Sequence, residues 1–198
     1  MKARLSLTLL LLAAPAAHAQ QISADRPGVG SDPEVVPQFV LQPEMGTDGR
    51  EIRIGVAGGV EIDRDEDNWA AKFRLADNDT IKTSVKLSRK DDTGRIGIEV
   101  PLNVAAARWL NVTLDAQMYA QRSSNVYAAE FNFAPTGRLT ITPTLYHDTK
   151  TRAALFGAWV PPAHDNIQLD IGYYQHRAVV GISAAIDFSD ILKQKVFK

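Results

Sequence analysis

Three of the four histidines, His147, His164 and His176, lie beyond residue 19 and are the side chains best suited to move protons near neutral pH. Each stands beside turn-forming residues: His147 before Asp148, His164 before Asp165-Asn166, His176 between Gln175 and Arg177. No nucleophile motif accompanies them, so they read as solvent-facing turn residues, no catalytic residue is assigned, and the chain is not expected to be an enzyme. Asp63-Arg64-Asp65-Glu66-Asp67-Asn68 alternates carboxylates, the oxygen donors calcium prefers. It lacks the glycine and distal glutamate of an EF-hand loop and reads as a solvated acidic loop. The chain has no cysteine, which excludes disulfides, thiolate zinc sites and a cysteine nucleophile. No metal and no cofactor are expected.

A different arrangement of charge stands out. Lys72, Arg74, Lys82 and Lys86 stand on the polar faces of two neighbouring segments, and Glu99, Asp115, Glu130 and Asp170 on those of later ones. Rows of opposite charge facing one another across a narrow interior would compensate, whereas unpaired they would be costly. What must position them is a set of strands, because side chains of period two point to opposite faces of an extended chain.

The alternation is explicit. Ile81, Thr83, Val85 and Leu87 alternate with Lys82, Ser84, Lys86 and Ser88, and Leu110, Val112, Leu114, Ala116 and Met118 alternate with Asn111, Thr113, Asp115, Gln117 and Tyr119. Eleven such segments can be marked near 36–45, 50–58, 68–76, 79–89, 94–102, 109–121, 126–134, 138–147, 151–160, 166–175 and 178–188. Short turn signals separate them, among them Asp48-Gly49, Asp77-Asn78-Asp79 and Asp148-Thr149-Lys150. Connections this short demand antiparallel neighbours.

Segments of about ten residues suit a tilted strand crossing a bilayer. The longest apolar faces carry no charge, as lipid exposure requires. Trp69, Trp109, Phe133, Trp159, Tyr173 and Phe188 fall toward segment ends, where an interfacial girdle would stand. The expected fold is therefore all-β, an antiparallel up-and-down transmembrane barrel. An even number of strands puts both termini on one side, so twelve are expected, with the missing one near Gly59 to Asp63, and ten is the runner-up. Pro43, Pro101 and Pro143 count against a closed barrel, since proline lacks a ladder donor. Pro143, in mid-segment, is expected to mark a bulge.

Met1-Lys2-Ala3-Arg4, the apolar run from Leu5 and Ala17-His18-Ala19 have the form of a secretory signal peptide cut after Ala19. The expected organisation is a signal peptide over 1–19, a lead-in over 20–35 rich in proline and glycine, the barrel over 36–188 and a tail over 189–198. Export and barrel-assembly machinery and outer-membrane lipid are then the expected partners, in a Gram-negative envelope. With 22 Lys and Arg against 23 Asp and Glu, the chain lacks the basic footprint of a nucleic-acid binder.

Asp25-Arg26-Pro27-Gly28, then Pro33-Glu34-Val35-Val36-Pro37 and a first strand ending Glu44-Met45-Gly46, resemble the opening of a family of outer-membrane proteins described as putative transporters of the meta-cleavage pathway of phenol degradation. Arg50-Glu51-Ile52-Arg53-Ile54-Gly55 and Ala70-Ala71-Lys72-Phe73-Arg74-Leu75 are similar to that family's next strands. The chain departs from it in Gln38, where a glycine is common, and in its short length. The resemblance implies a porin-like channel or transporter for small aromatic or hydrophobic compounds. Two alternatives stand beside it: a non-conducting envelope scaffold or binding barrel, and a soluble periplasmic lipocalin-like binder with the faces reversed. Within the motif, Arg26 is expected to plug into the lumen or pair with an acid at the rim, and Pro27 to fix the direction of the chain.

Overall fold

The computed structural model describes residues 29–120 and 125–189. The expected signal peptide, the Asp25-Arg26-Pro27 motif and the expected tail beyond Ser189 lie outside them. The strands are β1 (Val40–Gly46), β2 (Gly49–Ala57), β3 (Val60–Asp65), β4 (Asn68–Asp77), β5 (Ile81–Lys90), β6 (Ile96–Ala107), β7 (Leu110–Tyr119), β8 (Val126–Thr136), β9 (Leu139–His147), β10 (Thr151–Trp159), β11 (Ile167–Tyr174), β12 (Arg177–Ala184) and the two-residue β13 (Ile186–Asp187). From β1 to β12 each strand pairs antiparallel with the next in sequence, and β12 and β13 both pair with β1, which closes the sheet. Because β13 continues β12 along β1, the barrel has twelve staves.

The strand missing from the eleven segments is β3, where it was expected. It belongs with the hairpin that turns at Gly58-Gly59, and Gly59 has φ of +84°, a conformation that glycine adopts without strain. Asp63 and Asp65 are thus strand residues and only Glu66-Asp67 form the turn, which corrects the reading of 63–68 as a loop. Asp65 accepts from the Asp67 and Asn68 amides at 2.8 and 2.7 Å, shaping that turn, and no cluster with metal-holding geometry occurs among the described residues.

The three prolines are accommodated by gaps in the hydrogen-bond ladder at unchanged register. The β5–β6 pairing runs from Thr83↔Leu102 to Lys86↔Glu99 and omits Pro101, while the β8–β9 pairing runs from Glu130↔Thr144 to Phe133↔Ile141 and omits Pro143. Pro43 sits where the pairing of β1 passes from β12 to β13. Each proline turns its missing donor toward one neighbour and pairs normally with the other, Pro43 with Ile52, Pro101 with Asp115 and Pro143 with Leu155. Pro143 therefore marks a gap, and the bulge in that hairpin lies between Phe133 and Thr136.

Apolar side chains point outward. Ile52, Leu75, Ile98, Leu114, Leu145, Leu155 and Ile171 are among the large apolar residues left exposed around the wall, far more than a water-soluble surface carries as one patch. Lys72 and Ser84 are buried on the inner face, and Ile81 and Phe73 are exposed on the outer one. The reversed, lipocalin-like arrangement is thus not the one adopted. Trp109, stacked on Phe133 at 6.0 Å, and Trp159 lie at the end of the barrel where the termini meet, and Trp69 and Tyr173 lie at the opposite end. We call these the near and far ends.

Candidate functional site

β1 begins at Val40 because the chain before it turns into the barrel. Pro33 and Pro37 deprive residues 29–38 of ladder donors, so this segment, the strap, satisfies its backbone with side chains of the wall. Near the far end, Gln117 donates to the Val29 carbonyl at 2.8 Å, and the Ser31 amide donates to Glu99 Oε1 at 2.8 Å. Lower down, Lys72 donates to the carbonyls of Asp32 and Glu34 at 3.1 and 3.4 Å, and Arg53 to that of Glu34 at 3.3 Å. Toward the near end the Val36 amide donates to Glu61 Oε2 at 2.5 Å, and the Phe39 amide to the Gly55 carbonyl at 2.9 Å. Gly55 is required there, since a Cβ would overlap the Pro37 carbonyl. Ser31, Val35 and Val36 are buried.

Charge is concentrated beneath the strap. Arg53 Nε lies 2.8 Å from Glu61 Oε1 and its Nη1 3.1 Å from Glu44 Oε1, while Lys72 lies 3.3 Å from Glu61, and all four side chains have zero exposure. Two cations and two carboxylates thus share one closed space, and Gln42 adds an amide to Glu44 at 2.9 Å. Lys86 bridges Asp63 at 3.0 Å and Glu51 at 3.3 Å. At the near mouth, Lys82 pairs with Glu34 of the strap and Arg74 pairs with Asp77 at 3.1 Å. A cavity of about 200 Å³ opens there beside Val35, Val36 and Pro37.

The remaining wall is different. Ala128, Tyr146, Ala154, Phe156 and Val179 form an apolar cluster inside the far half, with Val29 of the strap and Tyr174 packed on it. Tyr146 and Tyr174 have ring centroids 5.4 Å apart, and Phe156 and Tyr174 6.3 Å apart. An aromatic surface lines one side of the lumen and an ionic one the other.

All eight charged residues singled out from the sequence lie on inward-facing positions of their strands, but their pairing differs from the expected opposed rows. Lys72, Arg74, Lys82 and Lys86 take Glu61, Asp77, Glu34, Asp63 and Glu51 as ion partners. Lys72 meets Glu61 on the adjacent strand, Lys86 reaches over β4 to Asp63 on β3 and Glu51 on β2, and Lys82 meets the strap, so these bases pair with acids on their own side of the barrel and on the strap. Among the expected acids, Glu99 is the register neighbour of Lys86. Asp115 and Glu99 share the Gln117 amide at 3.1 and 3.0 Å, and Asp170 accepts from Gln168 at 2.7 Å. Glu130 is half-buried between Thr113 and Thr144. The sequence reading missed Glu44, Glu51, Arg53 and Glu61, although their alternation with Pro43, Ile52 and Ile62 placed them on the inner face.

The histidines are far from this network. His147 and His176 are exposed at the far end, His147 with Nδ1 3.2 Å from Thr151 Oγ1, and His164 is exposed in the β10–β11 connection.

No family model matches the chain, and no curated protein matches its sequence. Among solved structures it is similar to one described as the KdgM porin, with a TM-score of 0.52 and 13% identity over 75% of this chain and 98% of that one. The same figures hold for the KdgM porin in complex with disordered oligogalacturonate. A NanC porin matches at a TM-score of 0.45 and 13% identity, over 73% of this chain and 98% of that one. At this identity the likeness to KdgM shows the fold, a transmembrane antiparallel β-barrel.

Proposed function

We propose that this chain is an outer-membrane channel for small solutes whose lumen is narrowed by its own strap. The observation that carries the reading is a closed barrel, apolar outside and charged inside, with residues 29–38 threaded through it. Lys72, Lys82, Lys86, Glu99, Asp115, Glu130 and Asp170 line the lumen in this reading, with Arg74 at its mouth. Solutes pass between the strap and the wall of β8 to β12, where Tyr146, Phe156 and Tyr174 offer faces on which a small aromatic compound stacks. Aromatic or hydrophobic solutes are also what the resemblance at Asp25 to Gly46 implies. The chain reaches the membrane by export and barrel assembly, with both termini toward the periplasm.

A non-conducting scaffold is the second reading. It is favoured by the zero exposure of Arg53, Glu61, Lys72 and Glu44, which leaves little open space under the strap. Planar-bilayer recording separates the two, using the refolded chain and a form lacking residues 20–35. The channel reading expects small unit conductance that rises severalfold when the segment is removed. If neither form conducts, and loss of the protein leaves uptake of small aromatic compounds unchanged, the scaffold reading stands instead.

A further inference from the structure

The outer face of the barrel carries its charged strand residues in one place. By alternation, Arg50 on β2, Arg64 on β3 and Arg89 on β5 point outward, all at the far rim and all on one side of the wall. The register sets Ile52, Arg64, Trp69, Arg89 and Ile96 side by side across five consecutive strands. Ile52, Trp69 and Ile96 are 50%, 54% and 58% exposed, so the row forms the upper edge of the lipid-facing belt. The Arg64 guanidinium stands over the Trp69 ring at 5.1 Å, which holds it flat against the wall. Arg64 also pairs with Asp91 at 2.6 Å and Arg50 with Glu66 at 3.5 Å. Arg89 is exposed and has no ion partner among the described residues.

We propose that this Arg64-Trp69-Arg89 row is a docking site for the phosphate of an outer-leaflet glycolipid, the lipid A part of lipopolysaccharide. Arginine presents a planar fork that matches phosphate oxygens, and its weak hydration suits the boundary between headgroups and chains. Two strand spacings, about 10 Å, separate Arg64 from Arg89, with the indole between them at the depth where aromatic girdles stand. Ile52 and Ile96 flank the row and extend the surface on which the acyl chains of the same lipid lie. Opposite charge, immediate continuity with the apolar belt and the free guanidinium of Arg89 together select a lipid phosphate over a soluble anion. The inference rests on the reading above that the barrel sits in the outer membrane with its far end outward.

The chain contains three tryptophans, and Trp109 and Trp159 lie at the near end, so Trp69 can be made the sole reporter of this rim. The experiment titrates the Trp109→Phe, Trp159→Phe chain, refolded in detergent micelles, with diphosphoryl lipid A, dephosphorylated lipid A and inorganic phosphate, following Trp69 emission. A saturable change is expected with diphosphoryl lipid A alone. Adding Arg64→Gln and Arg89→Gln together should weaken it about tenfold, Arg64 contributing the smaller share because Asp91 partly neutralises it. Arg89→Gln alone removes no ion pair of the fold and should still weaken it severalfold, while Arg108→Gln at the near end should leave it unchanged. An equal response to dephosphorylated lipid A, an equal response to inorganic phosphate, or affinity unaltered by Arg89→Gln overturns the proposal. A heat-modifiable band on gels reports the barrel separately, and its absence from the parent chain would strike at the membrane reading itself.

Discussion

Replacing Arg53 with methionine removes the cation on which two buried carboxylates converge. Arg53 makes hydrogen bonds of 2.8 and 3.0 Å to Glu61 and 3.1 Å to Glu44, and a further one of 3.3 Å to the Glu34 carbonyl of the strap. Taking one partner from a buried ion pair costs about 3–5 kcal/mol, because the remaining charge stays out of water. Here Lys72 still lies 3.3 Å from Glu61, and Gln42 still donates to Glu44 at 2.9 Å. The loss should therefore fall at the lower end, about 3 kcal/mol, which is more than a hundredfold in the folded-to-unfolded ratio. Arg74→Gln is the reference, since Arg74 and Asp77 are 38% and 40% exposed and such a pair is worth at most about 1 kcal/mol. Urea unfolding of the barrel in lipid vesicles, followed by tryptophan fluorescence, measures both. If Arg53→Met costs no more than Arg74→Gln, the network is hydrated and the argument from burial fails.

At Gly55, an alanine Cβ would overlap the Pro37 carbonyl, so Gly55→Ala should destabilise the barrel by about 1–3 kcal/mol in the same urea assay and make the strap more open to protease. Gly30→Val places a Cβ 2.5 Å from Asp115 Oδ2 and should raise single-channel conductance by displacing the strap's far half, while leaving the heat-modifiable band intact. Pro143→Val returns an amide to a stretch of β9 whose pairing with β8 already holds register on both sides, so its unfolding free energy should match or exceed the parent's by up to about 1 kcal/mol. Asp148, in the exposed β9–β10 turn, accepts from the Thr149 and Lys150 amides, which lowers its pKa from the ordinary 3.8 to about 2. Its folded value is the lower one, so its support of the turn is whole above about pH 4 and is lost as pH falls toward 2; nuclear magnetic resonance of the Thr149 amide should show this, and Asp148→Asn should remove it.

The strands were legible because their signal is local. Strict alternation, as in Leu110 to Tyr119, fixes which side chains share a face, and a turn such as Asp48-Gly49 fixes the hairpin. Even the unmarked β3 followed from the need for an even number. Ion pairing was not legible in the same way, since it depends on which strands become neighbours and how far a side chain reaches. Lys72 was assigned distant acids when the register placed it opposite Glu61. The strap left weaker marks. Pro33 and Pro37 show that the segment cannot be a ladder strand, but only its side-chain hydrogen bonds show that it lies inside, and a lone glycine at position 55 gives no hint of what approaches it.

Proline acts in two opposite ways in this chain, and the difference lies in where the lost donor points. In β1, β6 and β9 each proline keeps one good neighbour and interrupts a single ladder, which costs on the order of one hydrogen bond while the register on both sides holds. In the strap, Pro33 and Pro37 bracket the three residues Glu34, Val35 and Val36. The sheet cannot recruit this interval as a thirteenth full stave, and its remaining amides and carbonyls must find side chains. The wall under it supplies them from Arg53, Glu61 and Lys72, residues that also satisfy one another. Ionic side chains on β2 to β4 and a proline-bracketed lead-in are thus two halves of one requirement, since removing either leaves buried polar groups of the other unpaired. That mutual dependence makes the strap part of the folded barrel and gives a constriction to a molecule whose described turns, at two to seven residues each, are too short to fold inward and form one.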